Sequence, residues 1–244
     1  VVTPHGRLHP ELEAARWSAL PFHWRWALPL LRFATGRARG DVGPGVLVDE
    51  LEVDGVTVRR YRPEQGASGA ALLWLHGGGF MVGRPRLDDA RCGQFVRKLG
   101  VVVMSPDYRL APEHSFPAAL DDAHRAWRHL LSSADALGID PQRIAVAGAS
   151  AGGGLAACLV QRLVDEGAQP AAQLLLYPML DDRTAARHEL DAPPHLVWSN
   201  RSNRSGWRAY LGAEPATPLL PPYAVAARHA TLAGLPPTWI GVGD

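Results

Sequence analysis

The chain has 244 residues, 47% of them hydrophobic and 20% charged, and a formal net charge of +1. One large α/β domain, or at most two small ones, is the expectation at that length, and the composition excludes a disordered polyelectrolyte. The absence of any basic or acidic run argues against nucleic acid or an anionic surface as main partner and favours small, near-neutral molecules.

In residues 10–39 the positions of Leu12, Trp17, Leu20, Trp24, Trp26, Leu28 and Leu31 predict short helices broken at Pro21 and Pro29. Residues 1–45 are accordingly read as an N-terminal helical arm. The apolar stretch 27–31 is interrupted by Pro29 and preceded by Arg25, so neither a signal-peptide core nor a membrane span is expected. The chain opens on Val1 rather than Met, which leaves room for a segment upstream.

Val46, Val48, Leu51 and Val53 then lead into Asp54-Gly55, and Val56, Val58 and Arg60 resume the alternation, predicting a two-stranded hairpin. Beyond it lie short apolar runs at 70–75, 101–105, 144–147, 174–177 and 239–242, of the kind buried on both faces of a parallel sheet. Helix-period segments near 87–99, 118–131 and 155–164 separate them, giving a mostly parallel sheet covered by helices on both faces. The polar, proline-bearing stretch 181–212 is expected to form an excursion over the sheet edge, within a core spanning 46–244. Cys92 and Cys158 fall on helical segments and are expected as free, buried thiols, consistent with a cytoplasmic setting. Neither a cofactor nor a metal is expected, because no His/Cys/Asp cluster has ligand spacing.

Two stretches carry the chemistry. Gly148-Ala149-Ser150-Ala151-Gly152 follows the run ending at Ala147 and opens a helical segment. A serine on such a strand-to-helix turn is held out above the sheet, and glycines two positions to either side let the neighbouring chain approach without Cβ collisions. The helix that follows would aim its free N–H groups and dipole at developing negative charge. The second stretch, His76-Gly77-Gly78-Gly79-Phe80, leaves successive backbone amides bare, and such a loop can direct two of them at one oxygen as an oxyanion hole. A turn used only for packing and a phosphate-cradling loop are the alternatives. Against the second of these, no G-x-x-x-x-G-K-[ST] and no G-x-G-x-x-G opening a nucleotide unit occurs.

These motifs, together with PDYRLAPEHSFPAAL at 106–120, LLYPMLDDRT at 175–184 and NRSGWRAYLG at 203–212, resemble the hormone-sensitive lipase family of α/β-hydrolases, bacterial esterases among them. The resemblance runs from about residue 47 to the last. It implies a carboxylic ester hydrolase with Ser150 as nucleophile, backbone donors at Gly78, Gly79 and Ala151, and Gly77 shaping the loop. It also implies a cap, made of the arm and the 181–212 excursion, over the acyl pocket, with core packing of the arm against the domain as the alternative, and it leaves room for a homodimer. His76 is expected to be structural, and Asp107, Arg109 and Glu113 to brace the loop beside the site. Ala149 departs from the acidic residue many relatives carry there.

In this fold the acid and the histidine of the triad follow the serine along the chain. By the register of the resemblance Asp244 is the first acid of a G-D/E-x-D pattern, which puts the triad acid two residues further on, although Asp244 itself is the alternative. The histidine is expected after one more strand, so the last strand and helix of the fold are expected to be absent and this stretch alone nearly inactive. His188, His195 and His229 precede the last apolar run and are expected to be solvated. The rival reading is a receptor-like protein that binds a small carboxylate on the same fold without catalysis.

Overall fold

The computed structural model describes residues 25–37, 40–191 and 198–243. Leu12, Trp17, Leu20, Pro21, Trp24, His195 and Asp244 lie outside the described residues.

Seven strands form one sheet: β1 (Val46–Val53), β2 (Val56–Pro63), β3 (Ala71–Leu75), β4 (Val102–Pro106), β5 (Ile144–Ala149), β6 (Gln173–Leu176) and β7 (Thr238–Gly241). Their order is β1-β2-β4-β3-β5-β6-β7. The β1–β2 pair is the expected hairpin, closed by Asp54 and Gly55 with φ of +49° and +80°, a turn whose twist matches that of the strands. β2 also runs antiparallel to β4, and every pairing from β4 through β7 is parallel.

Helices α1 (Leu28–Arg37), α2 (Asp89–Leu99), α3 (Ala118–Ser132), α4 (Ala151–Asp165) and α5 (Asn200–Leu211) complete the frame. Alternation along β3 divides the core. Leu73 and Leu75 join the apolar cluster built with α3 and α4, while Leu72 and Trp74 join a second cluster with Cys92 and Val96 of α2. Both sheet faces are therefore covered, as period-two strands with apolar residues on each side require. Cys92 and Cys158 are free and buried. Burial pushes both thiols up, Cys158 to about 12, so neither is poised as a thiolate nucleophile.

Three expectations need correction. Pro29 does not break a helix: it sits in the first turn of α1, where its missing N–H has no intrahelical partner to lose. The run at 239–242 is not buried on both faces. Among the described residues β7 is an edge strand, with Trp239 56% and Ile240 50% exposed, because β6 is its one neighbour. His229 is not solvated but packs on Tyr223 with its Nε2 3.6 Å from Asp165.

The 181–212 stretch begins with short 3-10 turns and ends in α5. Its first turn is anchored by Asp182, fully buried, which accepts 2.8 Å hydrogen bonds from Nε and Nη2 of Arg228 and one of 2.7 Å from the Ala216 amide. Its last helix stacks Tyr210 on Phe80, ring centroids 4.0 Å apart, so α5 lies against the loop that follows β3. No described helix is long and apolar enough to cross a membrane.

Candidate active site

Ser150 occupies the corner between β5 and α4 with φ +55° and ψ −120°, a conformation that strongly favours glycine. Three backbone hydrogen bonds hold the corner. The Ser150 amide donates to the Leu176 carbonyl at 2.9 Å, and the Ser150 carbonyl accepts from Met179 and Gly154, each at 3.0 Å. The turn is therefore stitched to the loop after β6 as well as to its own helix.

The flanking glycines are required by close approach. A Cβ on Gly148 would collide with the Gly152 carbonyl, and one on Gly152 with the carbonyls of Leu75 and His76. Gly153 and Gly154 press in the same way on Pro178 and on the Met179 carbonyl. The three consecutive glycines 152–154 thus let the start of α4 settle onto the end of β3 and the segment after β6. Ala149 is buried among the apolar residues of the α2 face, and Ala151 is the buried first residue of α4, whose amide has no intrahelical acceptor.

The glycine loop lies beside this corner. A Cβ on Gly77 would stand 3.5 Å from the Ser150 Cβ and 3.2 Å from the Ala149 carbonyl oxygen. Gly78, Gly79 and Phe80 have φ of +125°, +60° and +63°, and the Gly78 carbonyl accepts from the amides of Met81 at 3.1 Å and Val82 at 3.0 Å. Carbonyl and N–H of one peptide unit point in opposite directions, so fixing the Gly78 oxygen also fixes the direction of the Gly79 N–H. The structure brings Gly77 against the Ser150 corner, Ala151 follows Ser150 directly in α4, and Gly78 and Gly79 continue the loop away from Gly77.

His76 is fully buried, stacked on Tyr108 at 4.1 Å, with Nδ1 2.8 Å from the Gly77 carbonyl oxygen. A carbonyl only accepts, so Nδ1 carries the proton and donates, and burial pushes the ring's pKa down. The imidazole should therefore be the neutral Nδ1–H tautomer at neutral pH and gain a second proton only below the ordinary histidine range, readable from its ¹⁵N chemical shifts. Because the folded pKa lies below the unfolded value, this residue's share of stability is complete above about pH 6.5 and declines as pH falls below it. A ring that titrates near pH 6.5 in the folded protein would contradict the arrangement.

Asp107, Arg109 and Glu113 form no single cluster. Arg109 grips the buried Asp122 through Nε at 2.9 Å and Nη2 at 2.8 Å, Glu113 pairs with Arg32 at 2.8 Å, and Asp107 reaches Arg84 only at 3.9 Å. Each braces a different part of the segment after β4. Arg32, in α1, had no sequence signal marking it, since its partners lie 49 to 81 positions away.

Ser150 is partly exposed on a cavity of about 540 Å³. Tyr177, Met179 and Leu190 line it together with Trp198 and Trp207, and Thr184, Asn200 and Asn203 give it a polar side. The Trp198 ring occupies the place a Cβ on Gly79 would take, and it also limits the space at Gly206. Tyr177, Met179 and Thr184 belong to the 175–184 motif and Asn203 and Trp207 to the 203–212 motif, neither of which carries a cavity signal in local sequence. Neither His188 nor His229 lines this cavity. His188 is 77% exposed beside Asp191, and His229 contacts Asp165 at the far end of α4, roughly 22 Å along a 15-residue helix from Ser150.

A family model described as the alpha/beta hydrolase fold matches residues 72–244. The chain belongs to the α/β-hydrolase family. Its motifs and relatives place it with the esterases of the hormone-sensitive lipase branch. It is 37% identical over 218 residues to the esterase LipI of Mycobacterium tuberculosis, covering 84% of this chain and 66% of that protein. It is 49% identical over 129 residues to an ethyl acetate hydrolase of Pseudomonas putida, covering 51% of this chain and 41% of that one. A solved bacterial heroin esterase superposes with a TM-score of 0.84 at 38% identity, over 96% of this chain and 78% of its own. The chain thus spans between about two fifths and two thirds of the curated relatives named here.

Proposed function

We propose that the complete protein is a carboxylic ester hydrolase for small to medium acyl esters, working through a Ser150 acyl-enzyme. The observation that carries this reading is the juxtaposition of Ser150, held out on a cavity, with the glycine loop, where a Cβ added to Gly77 would already touch the Ser150 side chain. In the proposed reaction the Ser150 Oγ attacks the ester carbonyl, and the oxygen that becomes negative is held by the N–H groups of Gly78, Gly79 and Ala151. The tetrahedral adduct collapses, expelling the alcohol and leaving the acyl group on Ser150, and water then releases the acid. These donors act where negative charge develops, which is why they lower the barrier rather than merely bind substrate. The proton of Ser150 goes to a histidine, oriented by an acid, which we assign to the part of the relatives' length that this chain does not span. Trp198 and Trp207 bound the cavity and favour short acyl groups over long ones.

The test uses the full-length protein with a series of p-nitrophenyl esters and an active-site-directed fluorophosphonate. Turnover should be greatest for short chains, and mass spectrometry should find one adduct per chain, on the peptide containing Ser150. An adduct on another residue, or ligand binding without turnover, would reject the reading, the second outcome favouring the receptor alternative.

A further inference from the structure

We propose that Arg32 is a positioning residue for the oxyanion-binding loop, holding the 78–82 turn in place from a helix that lies upstream of the family-matched segment. The proposal rests on the reading of Gly78 and Gly79 as oxyanion donors. Its starting point is the set of hydrogen bonds this one guanidinium makes. Nε donates to the Met81 carbonyl at 2.8 Å, Nη2 donates to the Ala111 carbonyl at 2.7 Å, and Nη1 and Nη2 together engage the Glu113 carboxylate at 3.0 and 2.8 Å. A planar fork with four of its five N–H donors engaged has little freedom to swing, unlike an ammonium on a flexible stem.

The connection to the site is short. The Met81 amide, one peptide away from the carbonyl that Arg32 holds, donates to the Gly78 carbonyl at 3.1 Å, and the Gly78–Gly79 peptide carries the Gly79 N–H. Ala111 closes the loop from the other side, its own amide donating to the Phe80 carbonyl at 2.9 Å while its carbonyl accepts from Arg32. Apolar packing supports the same junction, since Leu28 and Leu31 of α1 bury against Met81 and Val82. Glycines at 78 and 79 have little intrinsic preference for one backbone conformation, so their orientation has to be imposed by neighbours. Arg32 is the side chain that ties the two strand-end loops together at that point.

Arg32 touches no reacting atom, so its effect should appear in the transition state rather than in substrate binding. The test compares full-length wild type, Arg32→Met and Glu113→Gln, by hydrogen–deuterium exchange of the peptide covering 78–82 and by kcat and KM on a short p-nitrophenyl ester. Arg32→Met should exchange faster there and lose about tenfold in kcat, less than the 10²–10³ that follows complete loss of a donor, with KM within about threefold. Glu113→Gln, which leaves both carbonyl hydrogen bonds, should stay close to wild type in both readouts. Should Arg32→Met not fold, Arg32→Gln, with a shorter stem and a remaining donor, replaces it. Unchanged exchange at 78–82, or faster exchange with unchanged kcat, overturns the proposal. The exchange measurement needs no turnover, so it decides the pinning separately from the hydrolase reading, whose own failure would show as an inactive wild type.

Discussion

Replacing Ser150 with alanine in the full-length protein is expected to lower kcat on short p-nitrophenyl esters by about 10⁴-fold or more, leaving a small residual rate from the oxyanion donors and substrate binding. The magnitude follows from the role proposed for the hydroxyl: without it no acyl-enzyme forms, and the remaining route is direct attack by water. The fold should be unaffected, because the three hydrogen bonds that hold the corner are all made by its backbone. Loss of activity accompanied by loss of the folded state would make the result uninformative about chemistry, so the melting temperature belongs in the same experiment. Retained turnover in a folded Ser150→Ala protein would remove Ser150 from the mechanism.

The second large effect concerns architecture. In Gly152→Ala the added methyl would have to share space with the carbonyls of Leu75 and His76, which are main-chain atoms at the end of a central strand and cannot rotate away. We expect a destabilisation of about 3 kcal/mol or more, at the upper end of overpacking costs because backbone rather than side chain must move. For a domain of this size that corresponds to a fall of roughly 6 °C or more in melting temperature. Gly36→Ala is the comparison: in α1, with the Arg84 side chain 3.8 Å away, a methyl fits and should leave stability within about 1 kcal/mol of wild type. A Gly152→Ala protein as stable as Gly36→Ala would show that α4 does not settle onto β3 as closely as described.

Much of this frame was readable from local pattern. Continuous apolar runs gave the parallel strands, since a strand flanked by helices on both faces has nowhere to put polar residues, and Asp54-Gly55 gave the hairpin because few other pairs accept that turn. Ser150 and the glycine loop were legible for the same reason: each needs residue types at fixed short spacing. What escaped was set by distance in sequence. Arg32 finds its partners across the chain, Trp198 fills the space left by the absent side chain of Gly79, and Asp182 meets Arg228 46 positions away. The exposure of β7 was misjudged because an apolar run reports what a strand prefers, whereas burial depends on which neighbours it has.

The backbone at position 150 sits in a region that ordinary residues avoid at a cost of about 1–3 kcal/mol. Glycine there would relieve that cost, so reactivity and heat resistance pull this single site in opposite directions. Under the proposed chemistry a Ser150→Gly protein would be sturdier and inert, the one corner trading heat resistance against acyl transfer.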